Sequence, residues 1–137
     1  MPASNGILET SLYVEDLRRS IAFYRSVFEF EVLMADERFC ALNVFDSQVL
    51  LLFRQGASTA PSSTPGGTVP PHDGRGHLHL AFAVSADSLE QWEPWLATHG
   101  VSIESKVTWP RGGTSLYFRD PDGHMIELAT PGLWANY

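Results

Sequence analysis

Two potential metal ligands occupy the same position in a pair of similar segments. Residues 8–14, with the sequence LETSLYV, align with residues 78–84, LHLAFAV. The alignment places Glu9 opposite His79. The two segments agree in hydrophobic pattern more than in residue identity, as expected for a repeated structural unit.

A second pair of segments extends the repeat and adds a third potential ligand. Residues 46–52 align with residues 122–128, which places Leu51 opposite Glu127. Carboxylates and imidazoles bind divalent cations, whereas a leucine side chain cannot. The repeat therefore predicts a metal site with three ligands and no fourth: Glu9, His79 and Glu127.

Strand alternation groups the predicted ligands mostly with small, polar or aromatic neighbours, while most of the larger aliphatic residues take the opposite face. The residues predicted to share a face with a ligand are Ile7, Ser11, Tyr13, His77, Ala81, Ala83, Met125 and Ala129. A buried carboxylate without a partner is costly, and a divalent cation would relieve this cost for two carboxylates and an imidazole together. We expect the three ligands to point into one concavity.

The elements that position these residues form a module that is predicted twice. In the first copy, a strand over 6–14 leads through a cap at Asp16 to a helix over 17–28. Three short strands are expected next, near 30–35, 38–44 and 48–54.

The second copy repeats this order. A strand over 77–84 precedes a helix. The capping-box spacing of Asp87 and Glu90 predicts the start of this helix, and Gly100 predicts its end. The strands that follow are predicted near 101–106, 113–119 and 124–129. The sequence Asp-Pro-Asp-Gly at 120–123 predicts a tight turn before the last strand, which leaves His124 exposed.

These elements predict an α+β fold of two βαβββ modules related by a pseudo-two-fold axis. The modules would form a cupped mixed sheet with the helices outside. We assign residues 1–54 to the first module, 55–76 to a linker rich in Pro, Gly and Ser, and 77–137 to the second module with a C-terminal tail. A linker of this length is either a lid over a site or a mobile connector. Trp134 in the tail is expected to pack on the body or on a partner chain.

Composition narrows the function further. The net charge of −7 and the pI near 5.0 argue against nucleic acid as a partner, since phosphate binding needs a surface rich in Lys and Arg. No membrane-spanning stretch and no signal peptide is expected. The single cysteine, Cys40, is predicted to be a buried apolar residue, and its lack of an internal disulfide partner fits a cytoplasmic protein.

The chain resembles the vicinal oxygen chelate superfamily, which includes glyoxalase I, bleomycin-resistance proteins, extradiol dioxygenases and fosfomycin-resistance thiol transferases. The resemblance lies in residues 14–24 (VEDLRRSIAFY), in the strand around His79, and in residues 120–128 (DPDGHMIEL). It implies paired βαβββ modules around a metal site, and homodimers whose site is often shared between chains.

The resemblance also assigns ligand positions. His79 and Glu127 match the family pattern, whereas Glu9 replaces a more usual histidine and Leu51 cannot ligate. Glyoxalase I uses all four positions, so Leu51 argues against that activity. One histidine with two carboxylates favours Mn²⁺, Mg²⁺ or Zn²⁺ as the divalent metal, with Fe(II) as a further candidate.

Residues 113–118 (GTSLYF) resemble the fosfomycin-resistance enzymes and place Tyr117 at a substrate-side tyrosine. A potassium-binding loop like theirs is not recognisable at 109–112, and the tail lacks their arginine, so fosfomycin is not the expected substrate. We interpret Tyr117 and His77 as candidate catalytic residues, and Tyr13 and Arg119 as candidate substrate-binding residues.

Two functions follow from this sequence. The first is a metal-dependent enzyme, a lyase, thiol transferase or dioxygenase, that chelates vicinal oxygens of a small substrate and stabilises an oxyanion. The alternative is a metal-free binding protein of the bleomycin-resistance type, with an acidic surface suited to cationic ligands.

Overall fold

The computed structural model describes all 137 residues and divides into two compact units, residues 1–75 and 76–137. The first unit contains β1 (Glu9–Val14), α1 (Leu17–Phe28), β2 (Val32–Ala35), β3 (Phe39–Val44), β4 (Gln48–Arg54), β5 (Ser62–Thr64) and β6 (Gly67–Val69). The second contains β7 (His79–Ala83), α2 (Ala86–Thr98), β8 (Ile103–Thr108), β9 (Thr114–Arg119) and β10 (Met125–Ala129).

The main sheets of the two units have the same strand order. The first sheet runs β1-β4-β3-β2 and the second runs β7-β10-β9-β8. In each, the strand before the helix pairs in parallel with the last strand, and the other pairs are antiparallel. This confirms the prediction of two similar βαβββ modules.

The registers also reproduce the alignment of the sequence repeat. Glu9 pairs with Val49 in the first unit, and His79 pairs with Met125 in the second. Two residues further along each strand, Ser11 pairs with Leu51 and Ala81 with Glu127. Positions that align in the sequence repeat are therefore equivalent in the hydrogen-bonded ladders.

Each main sheet has a core face of buried apolar residues and an opposite face, here called the open face, which carries the predicted site residues. The core-face residues are Leu12, Val14, Cys40, Leu42, Leu50 and Leu52 in the first unit and Phe82, Leu116, Phe118, Ile126 and Leu128 in the second. Helix α1 packs against β3 and β4 and buries Tyr24 completely. Burial raises the pKa of the Cys40 thiol, as fits its predicted role as a core residue.

The helix starts follow local sequence signals, with one correction. Asp16 caps α1 by accepting a hydrogen bond from the Arg19 amide at 3.1 Å, as predicted. Helix α2 is capped by Ser85, which accepts from the Ser88 amide, so the capping box predicted at 87–90 is wrong. Ser85 precedes the helix directly, and the first-turn amides lie within reach of its hydroxyl.

The segment predicted as a linker differs from the structure, because it contains the hairpin of β5 and β6, whose strands pair from Ser62 to Val69. In the tail, Trp134 is 67% exposed within the chain, so the body leaves most of it uncovered. Its packing on a partner chain stays a prediction. Neither helix is long and apolar enough to cross a membrane.

Candidate functional site

The carboxylate of Glu127 is the most enclosed charged group on the open face of the second sheet. The residue is 4% exposed, although it belongs to the face that carries polar side chains. Its Oε1 atom accepts hydrogen bonds from the Ser115 hydroxyl at 2.5 Å and from the Tyr117 hydroxyl at 3.0 Å. Ser115 and Tyr117 reach it because β9 lies beside β10 and alternate residues share a face. The two hydroxyl donors fix the orientation of the carboxylate.

His79 approaches the other oxygen of this carboxylate. Its Nε2 atom lies 3.2 Å from Glu127 Oε2, and its Nδ1 atom lies 3.1 Å from the carbonyl oxygen of Met125. A carbonyl oxygen only accepts hydrogen bonds, so Nδ1 must be protonated and must donate its N–H to the Met125 carbonyl. In the neutral ring, the lone pair of Nε2 then faces Oε2, and two acceptors stand opposite each other.

This arrangement needs a positive charge at Nε2. A proton on the ring would satisfy it, and so would a divalent cation bound by Nε2 and Oε2. Metal-binding histidines commonly donate their other ring N–H to a backbone carbonyl, as His79 does to Met125. The donor set therefore fits a divalent cation, with His79 and Glu127 as two of its ligands.

A second layer of hydrogen bonds supports the carboxylate. The indole Nε1 of Trp109 donates to Ser115 Oγ at 2.8 Å, and an indole N–H has no acceptor capacity. The Ser115 hydroxyl is thereby left to donate to Glu127. Sequence analysis missed both Trp109 and Ser115, although alternation in β9 places Ser115 on the same face as Tyr117.

Tyr117 is held in its protonated form. Burial raises the pKa of its hydroxyl above the usual range; the hydrogen bond with Ser115 opposes this shift, while the Glu127 carboxylate adds to it. Tyr117 therefore donates a hydrogen bond at neutral pH. A hydroxyl donor at this position is able to hydrogen-bond an oxygen atom of a bound molecule as well as the Glu127 carboxylate.

The third predicted ligand belongs to the first unit. Glu9 is the exposed first residue of β1, on the open face of its sheet. No group of three or more His, Cys, Asp or Glu side chains in the chain is arranged to hold a metal ion. The structure thus brings together two of the three predicted ligands, His79 and Glu127, within the second unit.

The remaining predicted residues of the second unit have structural partners of their own. The exposed His77 ring covers Gly123, where an added Cβ would lie 2.9 Å from Nε2. Arg119 makes two hydrogen bonds to the Glu104 carboxylate, at 2.7 and 3.1 Å. These bonds lower the pKa of Glu104 and raise that of Arg119. A substrate in contact with Arg119 would have to share the guanidinium with the Glu104 carboxylate.

Tyr13 lies on the open face of the first sheet and is almost fully buried. Its hydroxyl is 2.7 Å from His72 Nδ1, and its ring stacks on Phe53 with centroids 6.0 Å apart. It contributes to the packing of the hairpin segment on the sheet. Burial raises its pKa, with the nearby Asp73 carboxylate as a second cause.

His124 is buried, and the prediction that it is exposed is wrong. The residue is 1% exposed, and its Nδ1 accepts a hydrogen bond from the Leu78 amide at 2.9 Å. The turn before it forms as predicted, with the Gly123 amide bonded to the Asp120 carbonyl at 3.0 Å. His124 thus holds the start of the β7 strand beside β10, close to the site but facing away from it.

Comparison with known proteins identifies relatives that match most of the chain. Residues 6–128 match the family model described as Glyoxalase/Bleomycin resistance protein/Dioxygenase superfamily. A metallothiol transferase FosB from Staphylococcus saprophyticus is 29% identical over 119 residues, covering 85% of this chain and 71% of that protein. A FosB from Staphylococcus haemolyticus is 28% identical and covers 93% and 85%.

Solved structures give the same result for the fold. The crystal structure of a lactoylglutathione lyase from Agrobacterium tumefaciens superposes with a TM-score of 0.88 at 29% identity, covering 98% of this chain and 99% of the other. The fosfomycin-resistance protein FosX from Listeria monocytogenes, complexed with Mn(II) and sulfate, shares the fold with a TM-score of 0.70 at 19% identity, covering 96% and 94%. With the family model spanning both modules, the chain belongs to the glyoxalase, bleomycin-resistance protein and dioxygenase superfamily, also called the vicinal oxygen chelate superfamily.

Proposed function

We propose that the protein is a metal-dependent enzyme that binds two neighbouring oxygens of a small substrate at a divalent cation and stabilises an oxyanion. The observation that carries this proposal is the geometry of His79, whose Nε2 lone pair faces Glu127 Oε2 while Nδ1 is tied to a backbone carbonyl. Only a cation or a proton relieves that opposition. The family relatives support the same class of function, since they include proteins named metallothiol transferase.

The ligands in this proposal are His79, Glu127 and Glu9. Mn²⁺, Mg²⁺, Zn²⁺ and Fe(II) all suit a set of one imidazole and two carboxylates. When bound, the cation supplies Lewis-acid stabilisation of negative charge on a substrate oxygen. Ser115 and Tyr117 hold Oε1 of Glu127 by two hydrogen bonds, which leaves Oε2 available for the cation.

Tyr117 is the proposed catalytic hydrogen-bond donor. Its hydroxyl adjoins the metal-binding carboxylate and keeps its proton at neutral pH. A substrate oxygen that approaches the cation would find this donor beside it. His77 and Arg119 share the same open face and are proposed to contact more distant parts of the substrate. Tyr13 is the proposed substrate-binding residue on the open face of the first unit.

Thiol chemistry is the proposed reaction class. The name lactoylglutathione lyase denotes an enzyme acting on a thiol adduct, and metallothiol transferase denotes transfer involving a thiol. We therefore propose that the substrate is either an oxygenated electrophile attacked by a small thiol or an adduct of such a thiol. Leu51 at the fourth ligand position argues against glyoxalase I activity itself.

The direct test is calorimetric titration of metal-free protein with Mn²⁺ and Zn²⁺. We expect saturable binding, and a loss of more than about 100-fold in affinity for Glu127→Gln, because direct ligands matter more than the outer-shell partners that cost about 10–100-fold. The exposed Glu37, changed to Gln, controls for the loss of one negative charge. Equal affinity of wild type and Glu127→Gln, or no metal binding, would contradict the proposal and favour the metal-free binding protein.

We further propose a homodimer in which Glu9 of one chain completes the site formed by His79 and Glu127 of the other. Mixing Glu9→Gln protein with Glu127→Gln protein tests this arrangement. In a mixed dimer with shared sites, one site receives both altered residues and the other receives neither. Metal binding and activity should return on mixing, to about a quarter of the sites if chains exchange at random. If each site lies within one chain, mixing restores nothing.

A further inference from the structure

A cavity of about 230 Å³ in the first unit is lined by residues that include none of the three proposed metal ligands. It lies between the open face of the first sheet and the segment that carries the β5–β6 hairpin. Its floor is aromatic: the rings of Phe39 and Phe53 stack with centroids 5.5 Å apart, and His72 meets Phe53 edge-on at 4.5 Å. Val69 and Pro70 add apolar surface from the hairpin side.

The hairpin segment is fixed over this floor at both ends. Tyr13 and His72 are joined by a hydrogen bond of 2.7 Å, and the Gly74 backbone lies against the Tyr13 ring. At the other side, Arg38 Nη1 donates to the Ser62 hydroxyl at 3.2 Å. The cavity is therefore part of the folded unit.

Small side chains in the hairpin segment leave the space open. The residues facing the aromatic floor from this segment include Ala57, Ser58, Ala60 and Ser62. None of them is large enough to fill the volume above two phenylalanine rings. An apolar cavity of about 150 Å³ is enough to bind benzene. The space here is larger and has room for a six-membered ring with a small substituent.

Arg38 gives the cavity its charge preference. Its side chain is 45% exposed at the rim, and it donates one hydrogen bond to Ser62 although a guanidinium carries several N–H donors. The carboxylate in its ion pair, that of Asp36, is 3.9 Å away, longer than a hydrogen bond. The planar guanidinium is therefore able to bind a carboxylate with two parallel hydrogen bonds.

We propose that this cavity binds a small aromatic carboxylate, with its ring on Phe53 and Phe39 and its carboxylate on Arg38. All lining residues belong to the first unit and none is a proposed ligand, so we expect the metal-free protein to bind this compound. The proposal therefore stands or falls independently of the metal site.

Calorimetry or saturation-transfer NMR on the full chain, freed of metal with a chelator, tests the proposal. Benzoate is the probe, with benzyl alcohol and benzylamine as ring compounds lacking a carboxylate. We expect benzoate to bind most tightly and benzylamine most weakly. If no ring compound binds at millimolar concentration, or if benzylamine binds as well as benzoate, the proposal is wrong.

Two variants locate the binding. Arg38→Gln should weaken benzoate at least tenfold and leave benzyl alcohol within twofold, whereas Ala57→Leu should weaken both by filling the cavity. Arg18→Gln, which removes an exposed arginine from α1, is the control and should change neither. Circular dichroism confirms folding of each variant. Unchanged benzoate binding in both Arg38→Gln and Ala57→Leu would place the ligand elsewhere and overturn the assignment.

Discussion

At equivalent register positions, the second sheet carries Ser115, Tyr117 and Glu127 where the first carries Phe39, Ala41 and Leu51. The backbone pairing is the same, because Tyr117 lies opposite Glu127 just as Ala41 lies opposite Leu51. In the second unit, the side chains at these positions are a carboxylate and the two hydroxyls that hydrogen-bond to it. In the first unit, the side chains at the same positions are part of an apolar surface.

At the end of the open face formed by the last residues of the parallel strand pair, the large side chains belong to the first unit and the small ones to the second. Tyr13 and Phe53 form an aromatic pair in the first unit, whereas Ala83 and Ala129 occupy the equivalent positions in the second. The two copies of the module have thus diverged in side chains and kept their backbone. The open face of the second unit carries two of the proposed metal ligands, and that of the first unit carries the cavity proposed to bind an aromatic ring.

The largest effect is expected when a residue of the second unit is replaced by the residue at the equivalent position of the first. Glu127→Leu places the first unit's residue in the carboxylate position and should abolish metal binding, a loss of more than about 100-fold. The protein should still fold, since leucine is tolerated in the equivalent strand. Metal titration with thermal unfolding measures both. Retained metal affinity would show that Glu127 is not a ligand.

The reverse exchange should destabilise the protein without creating a site. Leu51→Glu puts a half-buried carboxylate beside Ala41 and Phe39 of β3, where the second unit has Tyr117 and Ser115, and leaves Ser11 of β1 as its one cross-strand hydroxyl neighbour. We expect the free energy of unfolding to fall by about 2 kcal/mol, the order of cost for an unsatisfied polar group. Leu51→Met, which keeps volume and apolarity, is the control. Gain of a second metal per chain would contradict the idea that the hydroxyl donors of the second unit are needed.

The attachment of the hairpin segment distinguishes the first unit from the second. A Cβ added at Gly74 would collide with the Cδ2 and Cε2 atoms of Tyr13, so Gly74→Ala must displace the ring or the segment. We expect a loss of about 1–3 kcal/mol in stability, as for other overpacked sites. Gly66 in the same hairpin segment has nothing within 4 Å of an added Cβ, and Gly66→Ala should be near neutral. Denaturant unfolding compares the two, and equal stabilities would mean that the segment is not fixed on Tyr13.

Most of this architecture is predictable from the sequence because the repeat and the strand alternation act along the chain. The repeat assigns His79 as the counterpart of Glu9 and Glu127 as the counterpart of Leu51, and the registers agree. Predicting that the side chains of His79 and Glu127 lie together required only that both strands turn these residues to the same face of the sheet.

Other features depend on packing between distant segments and left no such signal. The hairpin lies in a segment rich in Pro, Gly and Ser, where composition alone indicates a connector. His124 follows a turn that is usually exposed, yet the Leu78 amide comes from a distant part of the chain to bond with it. The contact between Trp109 and Ser115 likewise depends on how the loop before β9 folds back.

A smaller effect is expected from the hydroxyl that holds Glu127. Ser115→Ala removes the 2.5 Å hydrogen bond to Oε1 and leaves the Tyr117 hydroxyl as the donor that orients this oxygen. Loss of an outer-shell partner of a ligand costs about 10–100-fold in metal affinity, and we expect the lower end because Tyr117 is retained. Ser102→Ala, at an exposed position before strand β8, is the control. An affinity equal to wild type would mean that Ser115 does not orient the carboxylate.

The smallest effect is expected from the indole beside Ser115, which acts on Glu127 only through that hydroxyl. Trp109→Phe keeps an aromatic ring but removes the N–H donor to Ser115 Oγ, so Ser115 gains freedom to turn away from Glu127. We expect a twofold to fivefold loss in metal affinity by titration. The same change made in Ser115→Ala protein should have no effect, because the bond it removes no longer exists. Equal losses in both backgrounds would mean that Trp109 supports the site through packing, and that the hydrogen-bond chain from indole to carboxylate does not distinguish the second open face from the first.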